Sequence, residues 1–504
     1  MKKVAIVSLD STQIKLTLAT ILDNETFVVN EVFTEGTKIA VDLSTDALIK
    51  TQRINDCLLA LKSYKTLIST NDITEVYAYA SFEYLDAKNQ KSFFEEIYSQ
   101  TGFRFNILSK DEQLMNSYTA VINSLDAPRG IIVSITGTKT QVLYYNRRNL
   151  ISQHTFDFGV CSLAEQFVKE NVKPEDSIKQ MYDYVYKHIK KLDMFKELEP
   201  DTCIVGLGDS YLSLGKLSRR LKKNPYDREH GYSMTSASVT EVYDFIKTLD
   251  LDKTKKLKGI SADRADYLAS GLAIIKAMQD FAGVNIATVC ANSLTEGILF
   301  NKACPLTSEK PLTDILGFSL NAQNEYYNTY SKNTAHVYEL SLMLFKQLKV
   351  LHKLSRTYVK VLRIASTFHD AGKRISANNY TKSGFGVVLN ANIYGISYRE
   401  QVLASFVVAS QKLEDFSTSD WVRYKDIVTE EDLEAVRKLS VIIRLADALD
   451  KFGRGYIVDI SCDILGDSVI MKTITTNPAE MEIREGIKLE NDFVKAFKKH
   501  LEIL

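Results

Sequence analysis

Cysteine and proline are scarce in this sequence, which contains 6 cysteines and 7 prolines among its 504 residues. The cysteines are scattered, and no pair of them has the CxxC spacing of a zinc ribbon. This pattern excludes a disulfide framework and predicts reduced thiols in a cytoplasmic protein. A hydrophobic fraction of 45% is enough to bury several cores over this length, so we expect about two to four domains.

An excess of charge and long hydrophobic runs are also missing. The 63 Lys and Arg residues equal the 63 Asp and Glu residues, which excludes the strong positive field of a protein that binds nucleic acid through charge. No apolar run approaches the roughly 20 residues that span a membrane. The apolar stretch after Met1-Lys2-Lys3 is too short for a signal peptide. We therefore expect partners other than nucleic acid or a membrane.

Residues 4–29 and 130–159 repeat one pattern early in the chain. Each copy has a β-rich run, a small polar turn, a second β-rich run and a polar hairpin turn, and Ser8 of the first copy corresponds to Ser134 of the second. An internal repeat of this kind predicts two similar α/β subdomains with first turns that face each other across a cleft. This arrangement resembles the actin, sugar-kinase and Hsp70 group, which shares a ribonuclease H-like fold.

The first turn of each copy has the composition of an anion site. Gly137 permits a tight turn, and such a turn directs several backbone N–H groups into one concavity. Lys15 and Lys139 add positive charge, although a solvated strand face and a solvated turn explain them equally well. A single turn of this kind predicts only a hairpin, so the phosphate hypothesis depends on the duplication. The residues predicted to contact phosphate are Ser11, Thr12, Gln13, Lys15, Gly137, Thr138, Lys139 and Thr140.

Further segments occur in the order in which a known family has its own segments. They are Asp86–Asn89, Val205–Gly208, Gly259–Asp266 and Asn292–Leu299. On these segments, and over nearly the whole chain, the sequence resembles the exopolyphosphatase / guanosine pentaphosphate phosphohydrolase (Ppx/GppA-type) family. The resemblance implies hydrolysis of a terminal phosphoanhydride of inorganic polyphosphate or guanosine pentaphosphate in the cleft, with Gly208 as a further phosphate contact. A carboxylate would activate water, and Mg²⁺ or Mn²⁺ would spread the charge.

The sequence departs from this family where the chemistry is expected. Ser8, Ser134 and Gln141 replace carboxylates of the two loops, and Gln113 replaces the catalytic glutamate, with Glu112 beside it. An amide does not accept a proton near neutral pH, and hydroxyl groups are poorer Mg²⁺ ligands than carboxylates. We therefore expect a weakened cleft that does not hold a metal firmly. Glu112 and Gln113 are the candidate catalytic residues.

Two other departures lie near the phosphate site. Leu85 stands at the family's arginine position, and Asp209 and Ser210 follow Gly208 where the family has Gly and Thr. Asp10 and Asp111 are alternative carboxylates if the local register is shifted by one residue. The sequence thus keeps acidic groups close to the predicted cleft without fixing which of them acts.

The remaining part of the chain changes in character after residue 300. The subdomains are predicted at 1–126 and 127–300, and residues 301–312 contain two prolines and no periodicity, which predicts a linker. Residues 313–455 have apolar residues at helical spacing. Residues 456–504 predict a small α+β cap and a candidate homodimer surface, with strands at 457–460, 468–473 and 481–483 and a helix at 487–501.

The helical segment contains the order His…His-Asp…Asp, formed by His336, His369, Asp370 and Asp447. Imidazoles and carboxylates that project from three helices to one point suit a divalent metal, and this order resembles the HD phosphohydrolase superfamily. That resemblance implies an all-α HD domain that binds one metal at most. The alternative is a structural domain in which both histidines pack and bond to the two aspartates.

Two hypotheses from different classes follow. The first is an exopolyphosphatase-type hydrolase, and the second is a catalytically degenerate protein that binds or senses polyphosphate or a guanosine nucleotide, with any chemistry in a metal-binding HD site. Gln113, Ser134 and Gln141 favour the second hypothesis. The domain order favours the first, which we take as the primary interpretation.

Overall fold

The structure is a computed structural model that describes residues 1–195, 198–305, 310–327, 333–411 and 418–504. These residues fall into two units, Met1–Ile315 and Leu316–Leu504. Part of the predicted linker, residues 306–309, lies outside the described residues, and the subdomain boundaries stay predictions. Within the described ranges, no helix combines the length and the apolar character needed to span a membrane.

The first sheet is built around the apolar run at the N-terminus. Val4–Leu9 is buried along its whole length, as expected for a strand covered on both faces. The elements of this part are β1 (Lys2–Leu9), β2 (Gln13–Ile21), β3 (Phe27–Gly36), α1 (Ile39–Thr45), α2 (Thr51–Thr70), β4 (Glu75–Ala80), a 3₁₀ turn (Phe82–Asp86), α3 (Gln90–Thr101), β5 (Asn106–Ile107) and α4 (Lys110–Ile122). The strand order is β3-β2-β1-β4-β5. Strand β1 is antiparallel to β2 and parallel to β4.

The second sheet repeats this topology. Its elements are β6 (Arg129–Ile135), β7 (Thr140–Asn146), β8 (Asn149–Phe156), α5 (Val160–Phe167), α6 (Pro174–Ile189), β9 (Cys203–Leu207), α7 (Asp209–Leu221), β10 (Ser233–Thr235), α8 (Ser236–Lys247), α9 (Leu251–Lys255), α10 (Ala262–Ala265), α11 (Leu268–Ala282), β11 (Ile286–Val289) and α12 (Leu294–Ala303). A short 3₁₀ turn lies at Asp193–Phe195. The strand order is β10-β11-β9-β6-β7-β8, and β6 is antiparallel to β7 and parallel to β9. Strand β6 therefore takes the place of β1, and the predicted duplication is confirmed.

Separate apolar cores support the two sheets. Leu9, Leu61 and Phe93 belong to the core in which α2 and α3 cover the first sheet. Helix α4 contributes instead to the core of the second sheet, where Leu114 packs in one cluster with Ile132. The last helix of the first repeat therefore packs on the second sheet. This position places Gln113 of α4 beside the turns of both sheets.

The C-terminal unit is helical and ends in a small sheet. Its elements are α13 (Ile315–Tyr327), α14 (Thr334–Gln347), α15 (Lys349–His352), α16 (Tyr358–Thr367), a 3₁₀ turn (Ala371–Arg374), α17 (Tyr380–Asn390), α18 (Tyr398–Ala409), α19 (Thr418–Val422), α20 (Glu430–Leu449), β12 (Ile457–Leu465), β13 (Ser468–Thr475), α21 (Glu480–Ile487), α22 (Glu490–Phe497) and β14 (His500–Ile503). Strand β13 lies between β12 and β14.

The second half of the predicted cap is wrong in detail. The strand predicted at 481–483 is part of helix α21, and the helix predicted at 487–501 is replaced by the shorter α22 and then strand β14. Met481 is exposed and Glu482 is buried, which is the reverse of the strand pattern. An alternation over only three residues does not distinguish a strand from one face of a helix. Gly486 lies where this helix is closely packed, because a Cβ there would lie 2.9 Å from Ile503 Cδ1 and 3.2 Å from Leu449 Cδ2.

The contact between α4 and α12 can be tested with Gly297→Ala. A Cβ at Gly297 would lie 1.8 Å from the Asn116 backbone oxygen, so the variant should lose about 1–3 kcal/mol in the free energy of unfolding. Urea unfolding measures this loss. The matched control is Gly386→Ala in α17, where a Cβ meets no heavy atom within 4 Å; it should gain up to about 1 kcal/mol. Equal stability of Gly297→Ala and the wild type would contradict this packing.

Candidate active site

The first turn of each repeat has the same closed geometry. The Asp10 N–H donates to the Gln13 carbonyl at 2.8 Å, and the Thr136 N–H donates to the Lys139 carbonyl at 3.0 Å. In each copy the helix after the third strand also binds the turn, because the Ala40 N–H donates to the Ser11 carbonyl and the Cys161 N–H to the Gly137 carbonyl. Both turns are therefore fixed by their own repeat, at equivalent positions.

The two turns meet directly. The Gly137 N–H donates to Ser11 Oγ at 3.3 Å. A Cβ on Gly137 would lie only 2.2 Å from the Ala40 Cβ, so this position requires glycine for close approach. The turns face each other as the repeat predicts, but their tips are in contact rather than separated by a gap that holds a chain of phosphates.

A carboxylate from the first repeat joins the two tips. Glu83, on the 3₁₀ turn after β4, is 0% exposed. Its Oε1 accepts hydrogen bonds from the Thr138 N–H at 2.8 Å and from the Thr138 hydroxyl. Its Oε2 accepts from the Ser11 hydroxyl at 2.8 Å and from the Ser81 hydroxyl at 3.2 Å. Glu83 is not among the residues predicted from the sequence. The available signal was an acidic side chain between Phe82 and the pair Tyr84-Leu85.

Two adjoining cavities lie beside the turns. The larger has a volume of about 370 Å³ and the smaller about 90 Å³. Residues that line both cavities are Asp10, Gln13, Ile135, Thr136, Gly208 and Asp209. Lys38, Arg264 and Tyr267 line only the larger cavity, and Lys15 and Gln113 line only the smaller one. The predicted cleft is therefore present, with Asp10 at the junction of its two parts.

The predicted phosphate-binding residues divide into two sets. Those that line the cavities are Thr12, Gln13, Lys15 and Gly208. Those in the contact between the turns or in bonds within the protein are Ser11, Gly137, Thr138, Lys139 and Thr140. Lys139 Nζ lies 3.0 Å from both Asp86 and Asp157. Burial lowers the pKa of Lys139, but these two carboxylates raise it more, so the overall shift is upward. This lysine therefore forms ion pairs within the protein.

The two candidate catalytic residues have different surroundings. Glu112 is exposed and closes a capping box at the start of α4, because its Oε2 accepts from the Ser109 N–H at 2.8 Å. Hydrogen bonds from Ser109 lower the pKa of Glu112. Gln113 is 5% exposed and lines the smaller cavity. Within the described residues its Oε1 has no hydrogen-bond partner. The amide, and not its acidic neighbour, thus lies at the cavity.

Asp10 is the acidic group with the most altered chemistry at this site. Burial, followed by the negative charge of Glu83, raises its pKa to about 7, while the hydrogen bond from the Ser11 N–H and the charge of Lys15 lower it. That hydrogen bond measures 2.7 Å to Asp10 Oδ1. A carboxylate with a pKa near the working pH is suited to accept a proton.

Comparison with known proteins identifies the family. Residues 26–304 match the model of the Ppx/GppA phosphatase family, and residues 318–476 match the model of Ppx/GppA phosphatase domain III. The chain belongs to the Ppx/GppA phosphatase family. The helical unit is accordingly matched as domain III of this family, and its designation as an HD domain stays a prediction.

Two relatives match part of this chain at low sequence identity. A bifunctional 3-dehydroquinate synthase/phosphatase from Fusobacterium nucleatum is 24% identical over 277 residues, which cover 53% of this chain and 40% of that protein. A guanosine-5'-triphosphate,3'-diphosphate pyrophosphatase from Aeromonas hydrophila is 19% identical over 335 residues, 65% of this chain and 64% of that protein. The chain thus spans less than two thirds of the length of these relatives.

The fold agrees with solved structures of the family. A Ppx/GppA family member from Aquifex aeolicus has a TM-score of 0.52 at 21% identity, covering 62% of this chain and 99% of that one. An exopolyphosphatase from Cytophaga hutchinsonii has a TM-score of 0.54 at 14% identity, covering 60% and 98%. These likenesses support the actin-like Ppx/GppA fold with its mixed sheets.

The cleft residues do not fit a divalent metal of the kind that the family resemblance implies. Four hydrogen bonds from neutral groups occupy the Glu83 carboxylate, and Arg264 Nη2 lies 2.6 Å from Asp209 Oδ1. Across the described part of the chain, no group of three or more His, Cys, Asp or Glu side chains is arranged to hold a metal ion. The described side chains of the cleft therefore do not form a divalent-metal site.

The predicted metal ligands of the helical unit are not all brought together. His369, Asp370 and Asp447 line a cavity of about 470 Å³, and His369 Nε2 lies 3.3 Å from Asp447 Oδ1. His336 is not among the residues that line this cavity; its Nδ1 is 3.0 Å from Asp450 Oδ2 and its Nε2 is 2.9 Å from the Ile457 carbonyl oxygen. His336 thus pairs with Asp450, three residues after Asp447, and a metal site formed by all four predicted residues stays a prediction.

A lysine lies beside each of the two predicted aspartate ligands, Asp447 and Asp370. Lys451 Nζ lies 3.1 Å from Asp447 Oδ2, and Lys373 Nζ lies 3.6 Å from Asp370 Oδ2. A second cation close to the same carboxylates competes electrostatically with a divalent ion. These contacts favour the alternative of a structural domain, with the pairs His369–Asp447 and His336–Asp450, and metal binding stays a prediction.

Metal analysis tests this conclusion. Protein incubated with Mn²⁺ and then desalted should contain well below one equivalent per chain, because the ligand set is incomplete. Elemental analysis of the wild type and of His369→Ala should give the same low content, and EDTA should leave the thermal midpoint unchanged. One equivalent of manganese per chain in the wild type, absent from His369→Ala, would show that this site binds a metal.

Proposed function

We propose that this protein hydrolyses the terminal phosphoanhydride bond of a polyphosphorylated anion, either inorganic polyphosphate or guanosine pentaphosphate, in the two cavities beside the turns. Membership of the Ppx/GppA phosphatase family supports the reaction class. The observation that carries the proposal is the position of Asp10, a carboxylate with a pKa of about 7 at the junction of both cavities. A homodimer and a cytoplasmic location are further proposals from the sequence.

The smaller cavity suits the terminal phosphate group. Lys15 supplies positive charge there, and Gly208 precedes the first turn of α7, where unpaired N–H groups favour an anion. Ser8 and Ser134 offer hydroxyl groups at the same cavity. The larger cavity, with Lys38 and Arg264 on its lining, would take the remaining phosphates or the nucleoside.

The proposed reaction is an in-line attack of water on the terminal phosphorus. The Gln113 side chain, which lines the smaller cavity, would help to position the water. Asp10 would take the proton as the new P–O bond forms. The bond from phosphorus to the bridging oxygen breaks, and the shortened anion leaves with the electron pair. A general base in this role contributes about 10²- to 10⁴-fold to the rate.

The second candidate function is binding without turnover. Gln113 at the family's catalytic glutamate position favours it, because an amide cannot replace a carboxylate as a base. The contact between the turns, closed by Glu83, also favours it. In that case the cavities would retain a polyanion, and the measured release of phosphate would be negligible.

Phosphate release from inorganic triphosphate, polyphosphate and guanosine pentaphosphate tests the assignment. Asp10→Asn should lower kcat/KM by about 100-fold or more, because it removes the base. Gln113→Glu should raise kcat/KM, because it restores a carboxylate at the cavity. If Glu112→Ala loses a comparable factor in kcat/KM while Asp10→Asn keeps full activity, the general base is Glu112 and not Asp10. No release by the wild type or by Gln113→Glu, together with tight binding of triphosphate, would favour the binder.

The altered pKa of Asp10 also predicts how stability depends on pH. Its carboxyl has an ordinary value of 3.8 and a value of about 7 in the fold, so the fold favours the protonated form. The associated stability is complete below about pH 4 and is lost as the pH rises through about 7. The Asp10→Asn side chain does not titrate, so its thermal midpoint should rise relative to the wild type between about pH 5 and pH 8. A constant difference between the two proteins across this range would contradict the raised pKa.

A further inference from the structure

Glu83 lies where the sequence places a substrate phosphate. The Ser11 hydroxyl and the Thr138 N–H and hydroxyl were all expected to bind phosphate, and all three donate to the Glu83 carboxylate instead. The Ser81 hydroxyl adds a fourth donor. A carboxylate and a phosphate group present similar negatively charged oxygens to such donors.

The burial of Glu83 makes this arrangement specific. A buried carboxylate is costly unless it is hydrogen-bonded, and the residue is 0% exposed. Its donors come from three separate segments of the chain, around Ser11, Ser81 and Thr138. The same neighbourhood differs from the family pattern in charge, because Leu85 stands at the arginine position and is exposed. The chain thus has an internal anion two residues from the position where the family has a cation.

We propose that Glu83 is an internal ligand of an oxyanion site formed by the two turns. Its carboxylate takes the place of a phosphate group between Ser11 and Thr138, holds the turns in contact, and confines substrate phosphates to the adjoining cavities. Removal of this side chain leaves a site that binds a small oxyanion from solution. The proposal goes beyond the proposed hydrolysis, and it is tested by binding, so the absence of turnover would not affect it.

Chemical rescue is the direct test. Glu83→Ala leaves four hydrogen-bond donors around a space of carboxylate size. Its thermal midpoint should therefore fall below that of the wild type and should recover in part on addition of formate or inorganic phosphate. Formamide has nearly the shape of formate without its charge and should not restore the midpoint. The wild type should respond to neither formate nor formamide at constant ionic strength, and phosphate, which can also bind in the adjoining cavities, should stabilise it less than it stabilises Glu83→Ala. A folded Glu83→Ala protein that formate and phosphate do not stabilise would overturn the proposal.

A second variant covers the case in which Glu83→Ala does not fold. Glu83→Gln keeps the size of the side chain and replaces charge-assisted hydrogen bonds by weaker neutral ones. Triphosphate should then compete more easily for Ser11 and Thr138, and its affinity measured by calorimetry should rise by about tenfold over the wild type. Asp157→Asn is the matched control, since it also removes one negative charge beside the same turn, at an exposed side chain whose Oδ1 lies 3.0 Å from Lys139 Nζ; it should give no such rise. Equal or weaker triphosphate binding by Glu83→Gln would contradict the internal-ligand assignment.

Discussion

The contact between two equivalent turns, bridged by a buried carboxylate, is the constraint on which the rest of the site depends. A buried carboxylate is costly unless it is hydrogen-bonded. The four bonds to Glu83 offset this cost. Their main effect is geometric, because they fix Ser11 and Thr138 together and leave Asp10 at the junction of the two cavities.

This constraint explains how the site differs from the pattern of the Ppx/GppA family. The acidic groups that the family places on its loops are absent at Ser8, Ser134 and Gln141, and Gln113 replaces the catalytic glutamate. Negative charge is present nearby, at Asp10 and Glu83, and burial followed by the charge of Glu83 raises the pKa of Asp10. One result is a carboxyl group at Asp10 that exchanges its proton near neutral pH. Under the proposed function, Asp10 takes the acid–base role that the family resemblance gives to the glutamate.

Much of the fold could be predicted from local sequence patterns. The long-range contacts could not. The register of the repeat carried over, since Leu9 pairs with Ile14 as Ile135 pairs with Thr140. The bond between Glu83 and Ser11 joins residues 72 positions apart, and no periodicity points to such a contact. In the helical unit His336 pairs with Asp450 instead of joining His369. A motif gives the order of ligands, but packing decides which carboxylate each histidine meets. The alternation at 481–483 is too short to distinguish a strand from a helix, and these residues belong to α21.

In the proposed site, substrate phosphates lie in the cavities at Asp10 and not between the turns. A crystal structure of the protein with bound inorganic triphosphate is the most direct test. We expect phosphate density beside Lys15, Asp10 and Gly208, with the bonds from Ser11 and Thr138 to Glu83 intact. Phosphate density between Ser11 and Thr138, with the Glu83 side chain displaced from both turns, would contradict it.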